Sequence, residues 1–200
     1  LALQPQLIIS ERQEDFLNGL RVISNLTDGK LYLCHESGVV LPGADLDCVT
    51  TAEFKGPHPT GLVGTHIHVL DPVSTSKTVW HLNYQDVMAI GSLFITGKIN
   101  VERVISLAGP MVKRPRFLRT RVGANIEDMV SGELEEGDAR VISGSVLYGH
   151  KATGSFDFLG RYHLQISVIA ENRERTLLDW QNPGFEKFSV ISTFISKLIP

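Results

Sequence analysis

The sequence predicts an α/β fold with a mostly parallel sheet in its first half, followed by a small β-rich α+β module in its second. Three observations carry this. Strand-like apolar runs alternate with helical patterns as far as Leu107. Strict apolar/polar alternation then takes over, most cleanly from Tyr162 to Ile169. Between the two regimes stands Gly109-Pro110, a pair that interrupts both helices and strands. The boundary is placed near residue 108, which gives a first domain over 1–108 and a second over 109–200.

Each element has its own signal. Ser10 followed by Gln13 is a capping-box pattern, Phe16, Leu20 and Ile23 recur at helical spacing, and Gly29 is placed as the C-cap. Lys30 to Cys34 is a short apolar run and reads as a buried strand. Val49 to Phe54 is rich in β-branched residues and reads as a second, and Thr78 to Leu82 as a third. Asn83 caps the next helix, with Asp86 in its first turn, and Val87, Ile90 and Phe94 lead to Gly97. Glu102 to Leu107 is the last strand of the first half.

In the second half Arg116 to Val122 reads as a strand, and Asn125 caps a short helix through Ile126 and Met129. Arg140 to Leu147 is another strand. Tyr162 to Ile169 sets Leu164, Ile166 and Val168 on one face and His163, Gln165 and Ser167 on the other. Thr176 to Trp180 is placed as its partner. No internal repeat or low-complexity tract interrupts the chain.

Composition narrows the class. Two hundred residues with 42% hydrophobic and 20% charged side chains can bury a sizeable core without disulfides or metal staples. A net charge of -3 argues against a dedicated nucleic-acid binder, which needs a basic surface. Cys34 and Cys48 form no Cys-x-x-Cys metal motif, and two thiols in this length suit a reducing compartment. No apolar run approaches the roughly 20 residues that cross a bilayer, and no signal-peptide pattern opens the chain. A start at Leu1 just ahead of a helix, and an end at Lys197-Leu198-Ile199-Pro200, read as a piece of a longer protein.

Four groups are candidates for sites. Three of the seven histidines, His58, His66 and His68, lie between Gly56 and His68. Extended backbone would put His66 and His68 on one face and allow a metal; helical backbone would turn them about 200° apart and dissolve the site. Backbone hydrogen bonding within a Gly/Pro turn is the preferred reading. Gly56, Gly61 and Gly64 suggest a phosphate loop, but the Gly-x-Gly-x-x-Gly order and a following lysine are both missing, so close backbone packing is preferred. Lys113, Arg114, Arg116, Arg119 and Arg121 form a basic run, read either as a patch for anionic lipid, nucleic acid or an acidic partner, or, preferentially, as the solvated face of a strand. The carboxylates from Glu127 to Asp138 surround a short helix and a polar loop, and make no acid/base pair. No Gly-x-Ser-x-Gly or His-Glu-x-x-His motif is present, and no catalytic or metal-binding residue is assigned.

The stretch from Gly56 to Val73, with Trp80-His81-Leu82-Asn83-Tyr84-Gln85-Asp86 after it, resembles the A subunit of the bacterial Na+-translocating NADH:quinone reductase. Gln6 to Leu20, Ser106 to Pro110, Arg140 to Val146, Leu159-Gly160-Arg161-Tyr162-His163 through Val168, Pro183-Gly184 and Lys187-Phe188-Ser189 match in the same order. The resemblance covers nearly the whole chain and identifies it with the family's central part. It implies a Rossmann-like domain, of which this chain holds the C-terminal portion, then a ubiquitin-like β-grasp (SLBB) module. It also implies a six-subunit enzyme of the bacterial inner membrane that oxidises NADH on another subunit. Electrons pass through flavins and iron-sulfur centres in partner subunits to ubiquinone, and Na+ is exported. The A subunit is expected to be peripheral on the cytoplasmic face, to dock on the membrane-embedded B subunit, and to hold no cofactor of its own. His66, His68, Trp80 and Tyr84 are the candidates for lying near a quinone, by the chemistry of their side chains. Two rival classes are a pure assembly scaffold and a histidine-metal enzyme.

Overall fold

The computed structural model describes residues 4–173. Two hydrophobic cores organise them, one against a two-stranded parallel sheet and one inside a five-stranded mixed sheet. The fold is α/β followed by α+β, as expected.

The first core is built by helices. Short α1 (Pro5–Glu11) leads at once into α2 (Gln13–Ile23), which buries Phe16 and Leu20. The capping box expected at Ser10 is absent. Residues 5–11 are themselves helical, and the Ser10 hydroxyl donates back to the Leu7 carbonyl. Nor does Gly29 end the helix, which stops at Ser24.

Helix α4 (Tyr84–Thr96) lies against α2. Its ends are as expected: the Asn83 side chain accepts from the Gln85 N–H, and Gly97 closes the helix at φ 69°, a left-handed angle that favours glycine. The two helices touch backbone to backbone. A Cβ on Gly19 would lie 2.1 Å from the Val87 carbonyl oxygen, and one on Gly91 1.9 Å from that of Asp15.

Strands β1 (Leu31–Glu36) and β2 (Val49–Phe54) pair in parallel, Leu31 opposite Val49. Leu31, Leu33 and Val49 pack on the α2/α4 core. Phe54, an odd number of residues from Val49, points to the other face, where its ring stacks on His66 of α3 (Val63–Leu70) at 4.0 Å. Helices therefore lie on both faces of this sheet. The strand expected at Thr78–Leu82 does not form; the segment is irregular after a tight Ser74–Lys77 pairing.

The second sheet has the order β4-β3-β7-β5-β6. Its members are β3 (Glu102–Ala108), β4 (Arg116–Arg121), β5 (Ala139–Ser143), β6 (His150–Lys151) and β7 (Gln165–Ala170). All neighbours are antiparallel except β3 and β7. Helix α5 (Ile126–Val130), capped by Asn125 as expected, buries Ile126 and Val130 in the core with Ile105, Leu107, Ile166 and Val168. A hairpin, a helix, and a last strand returning parallel to the first make the grasp-like topology.

β3 is the main revision. The sequence pattern assigns it to the end of the first half, yet it pairs with β4 and β7 in the second sheet. Its composition fits either sheet; only pairing decides. β5 ends at Ser143 rather than at Leu147, because Gly144 turns the chain at φ 97°. Ile166 and Val168 are buried as the alternation requires, although Ser167 on the opposite face is buried too. The strand expected at Thr176–Trp180 and the matching blocks at 183–189 lie outside the described residues.

Candidate functional site

The segment from Gly56 to Val73 folds as a turn followed by helix α3. Helical backbone sends His66 and His68 about 200° apart, so they share no face. His66 points inward, with Nε2 2.8 Å from the Thr60 carbonyl oxygen and its ring on Phe54. His68 is exposed, as is His58. Among the described residues no three metal-ligating side chains converge. The close packing expected of the glycines occurs at Gly56, whose added Cβ would lie 3.0 Å from Thr60 Oγ1; around Gly61 and Gly64 there is open space.

Trp80 is 79% exposed on the irregular stretch before α4. Tyr84 opens α4, half-buried against the first core. Burial pushes its phenol above the ordinary range, against the opposing influence of the Gln85 contact and the Arg103 charge. No hydrogen bond or ring contact among the described residues joins any two of His66, His68, Trp80 and Tyr84. All four nevertheless fall on the one stretch that runs from α3 into the start of α4.

That start of α4 is also where the two cores meet. The Gln85 side chain sits beside β3, accepting from the Val104 N–H and donating to the Val104 carbonyl, both at 2.9 Å. β7 pairs with β3 only from Ser106 onward. A side-chain amide thus continues the ladder where the neighbouring strand has not yet begun. One residue on, the Asp86 carboxylate accepts from Arg103, which is 2% exposed, and lies 3.3 Å from the Arg161 guanidinium. Nε and Nη1 of Arg103 are buried with no partner among the described atoms. A second tie joins Glu11 of α1 to Arg119 of β4, at 2.6 Å, while Arg119 also reaches Glu102 at 2.5 Å.

Sequence reasoning misses this junction, because it assigns Asp86 only the role of a first-turn acid of α4. The available signal is Arg103, the sole cation within the run Val101 to Leu107, because a charge in a buried strand requires a partner.

The basic run is largely paired. Arg116 holds Glu133 through two bonds of 2.7 and 2.9 Å, and this contact draws the Glu133 carboxyl below its usual range. Lys113 donates to the Gly132 carbonyl. Phe117, Arg119 and Arg121 share the exposed face of β4, as the alternation requires.

A last cluster lies where β5 ends and β7 begins. Ser143, fully buried, sits 2.7 Å from His163 Nδ1 and accepts from the Gly160 N–H. His150 stands 5.2 Å from His163, ring to ring. Burial, then the neighbouring imidazole, lowers the His163 pKa. A hydroxyl with no exposed surface cannot meet a substrate, so the pair serves to seat the turn before β7. An open cleft of about 450 Å³, lined by Arg21, Val22, Asn25, Leu26 and Phe94, lies by the C-terminal ends of α2 and α4, away from all these groups.

Comparison with known proteins gives a consistent picture. A family profile described as "NqrA second alpha/beta domain" matches residues 1–99, and one described as "NQRA C-terminal domain" matches residues 104–154. The chain is 54% identical over 198 residues to the A subunit of the Na(+)-translocating NADH-quinone reductase from a Marinomonas species, covering 99% of this chain and 44% of that protein. It is 55% identical over 193 residues to the protein of the same name from Klebsiella pneumoniae, covering 96% of this chain and 43% of the relative. With the Cellvibrio japonicus protein of that name the identity is 52%, over 100% of this chain and 45% of the relative. The chain spans less than half the length of these relatives.

Proposed function

We infer the role of this chain from one premise: it belongs to the family of A subunits of Na(+)-translocating NADH-quinone reductases. It forms the central part of a peripheral subunit that supports reduction of ubiquinone to ubiquinol, coupled to Na+ export. The observation that carries this reading is a match to named A subunits along almost the entire chain.

The work of this part is to position and shield. NADH oxidation, the flavins and the iron-sulfur centres belong to partner subunits. The chain docks on the membrane-embedded B subunit at the cytoplasmic face of the inner membrane. Among the described residues no helix is long and apolar enough to cross a membrane. The clasp between the modules supports a rigid platform, because both a buried ion pair and an amide ladder would have to break before the cores could separate. The modules divide in the stretch 98–101, ahead of β3, since that strand is committed to the second sheet.

Quinone approaches the stretch from α3 to the start of α4. His68 and Trp80 offer exposed rings, while His66 and Tyr84 are half-buried. Titration of the full-length protein with a short-chain ubiquinone tests this. Alanine at His66, His68 or Trp80, or phenylalanine at Tyr84, is expected to weaken binding; unchanged affinity in all four would remove them from the site.

One observation favours a second reading, a docking platform with no ligand site. Edge strand β4 presents Phe117, Arg119 and Arg121 together on an outward face. Under that reading, charge reversal at Arg116, Arg119 and Arg121 abolishes assembly without unfolding the protein, and the four quinone variants bind as the parent does.

A further inference from the structure

Among the described residues, His150 and His163 are the one pair of imidazoles in ring contact, with centroids 5.2 Å apart. That separation has a chemical meaning. An imidazole nitrogen binds zinc at about 2.0–2.1 Å, which puts the ring centre about 3.2 Å from the ion. Two such rings at the tetrahedral angle stand about 5.2 Å apart, against about 4.5 Å at a right angle. Rotation of a ring about its bond to the ion leaves this distance unchanged, so the 47° tilt between the planes is no obstacle.

The surrounding backbone holds both rings in place. His150 lies opposite Ser143 in the β5–β6 pairing, so both side chains leave the sheet on one face. The His163 ring sits between two glycines. A Cβ on Gly160 would lie 2.6 Å from its Nδ1, and one on Gly144 3.0 Å from its Cδ2. Nδ1 is 2.7 Å from the Oγ of fully buried Ser143, and the Gly160 N–H donates to that same oxygen. Nδ1 is therefore engaged, and Nε2 is the nitrogen left for a ligand. A ligating histidine usually has its second ring N–H fixed by an acceptor in this way.

His150 meets Phe156 at 5.6 Å and makes no side-chain hydrogen bond among the described residues. The adjoining cations are held elsewhere, Lys151 by Glu171 at 3.7 Å and Arg161 by Asp86 at 3.3 Å. Both imidazoles are half-buried beside exposed Tyr148, so water reaches them.

We propose that His150 and His163 bind one zinc-class divalent ion, through Nε2 of His163 and a ring nitrogen of His150, with water completing the shell. Imidazole donors suit zinc, nickel or copper rather than magnesium or calcium, and the tetrahedral spacing favours zinc. The ion ties the two-residue strand β6 to the turn that precedes β7. With two protein ligands it is an exchangeable staple and not a reaction centre, so its occupancy follows the free metal concentration. None of the quinone candidates takes part, and the site stands or falls apart from that reading.

Zinc sulfate alone, titrated into full-length protein that is chelator-stripped and free of any histidine tag, tests this. Calorimetry is expected to show an ion bound by the parent and that binding lost in His150→Gln, while His68→Ala takes up zinc as the parent does. Histidine-ring NMR of the unsubstituted protein reads the site without any risk of misfolding. There zinc is expected to shift His150 and His163 together, with His163 fixed in its Nδ1–H form. Absence of zinc uptake, uptake undiminished in His150→Gln, or shifts confined to other histidines would overturn the proposal.

Discussion

Arg103 of β3 and Asp86 of α4 meet as a buried ion pair at the seam between the two hydrophobic cores. Each residue lies on a different core's scaffold, so neither module is complete in charge without the other. Leaving one partner alone in a buried site costs about 3–5 kcal/mol, whereas replacing both by apolar residues is often near neutral. Asp86→Ala and Arg103→Met are each expected to lower unfolding free energy by about that much in denaturant titrations, and Asp86→Leu combined with Arg103→Met by much less. A loss in the double variant equal to the sum of the two single losses would show that the pair is not coupled.

Gln85 substitutes for a strand. Alanine there leaves the Val104 N–H and carbonyl without partners at a buried seam. A loss of about 1–3 kcal/mol is expected for Gln85→Ala. Gln85→Glu keeps the acceptor for the Val104 N–H but faces the Val104 carbonyl with an oxygen, so it should recover little. Chemical denaturation of both variants checks the order.

Glycines in helices should respond to Ala in opposite senses. At Gly91 a methyl group runs into the Asp15 carbonyl, and overpacking of this kind costs about 1–3 kcal/mol or more. At Gly64 of α3 nothing lies within 4 Å, so alanine is expected to stabilise by about 0.4–1 kcal/mol through helix propensity and a less disordered unfolded chain. Thermal melts should shift down for Gly91→Ala and up for Gly64→Ala. A rise at both positions would deny the backbone contact between α2 and α4.

His163 predicts an acid-side loss of stability. Burial and the adjacent His150 lower its pKa in the folded state, so the unfolded chain binds the proton first as pH falls. Its contribution is whole above the ordinary histidine range, near pH 6.5, and is lost as pH drops through the lowered folded value. His163→Gln should flatten the stability profile below about pH 6.5. A parent profile that is already flat there would reject this assignment.

Helix α4 shows what is legible without coordinates. Asn83 and Gly97 mark its ends by local backbone chemistry, and the structure keeps both in those places. Asn125 before α5 is the same case. Thr78 to Leu82 shows the opposite. Its β-branched and aromatic residues satisfy strand propensity, but no neighbouring strand is there to pair with among the described residues, and the segment stays irregular. His66 and His68 depend on a single local choice, helix or strand, that their own spacing cannot make. The four quinone candidates follow from side-chain type, which says nothing about convergence.

The chain's own sequence determined the element types with local signals, the alternation that buries Ile166 and Val168, and, through the motif order, the family. Tertiary structure alone decided that β3 joins the second sheet, that Gln85 finishes its ladder, and that Asp86 and Arg103 neutralise each other across the seam. The reason is range. Caps and periodicity act within one or two turns of backbone. Strand pairing and buried charge join residues such as Ser106 and Gln165, whose meeting depends on everything folded between them.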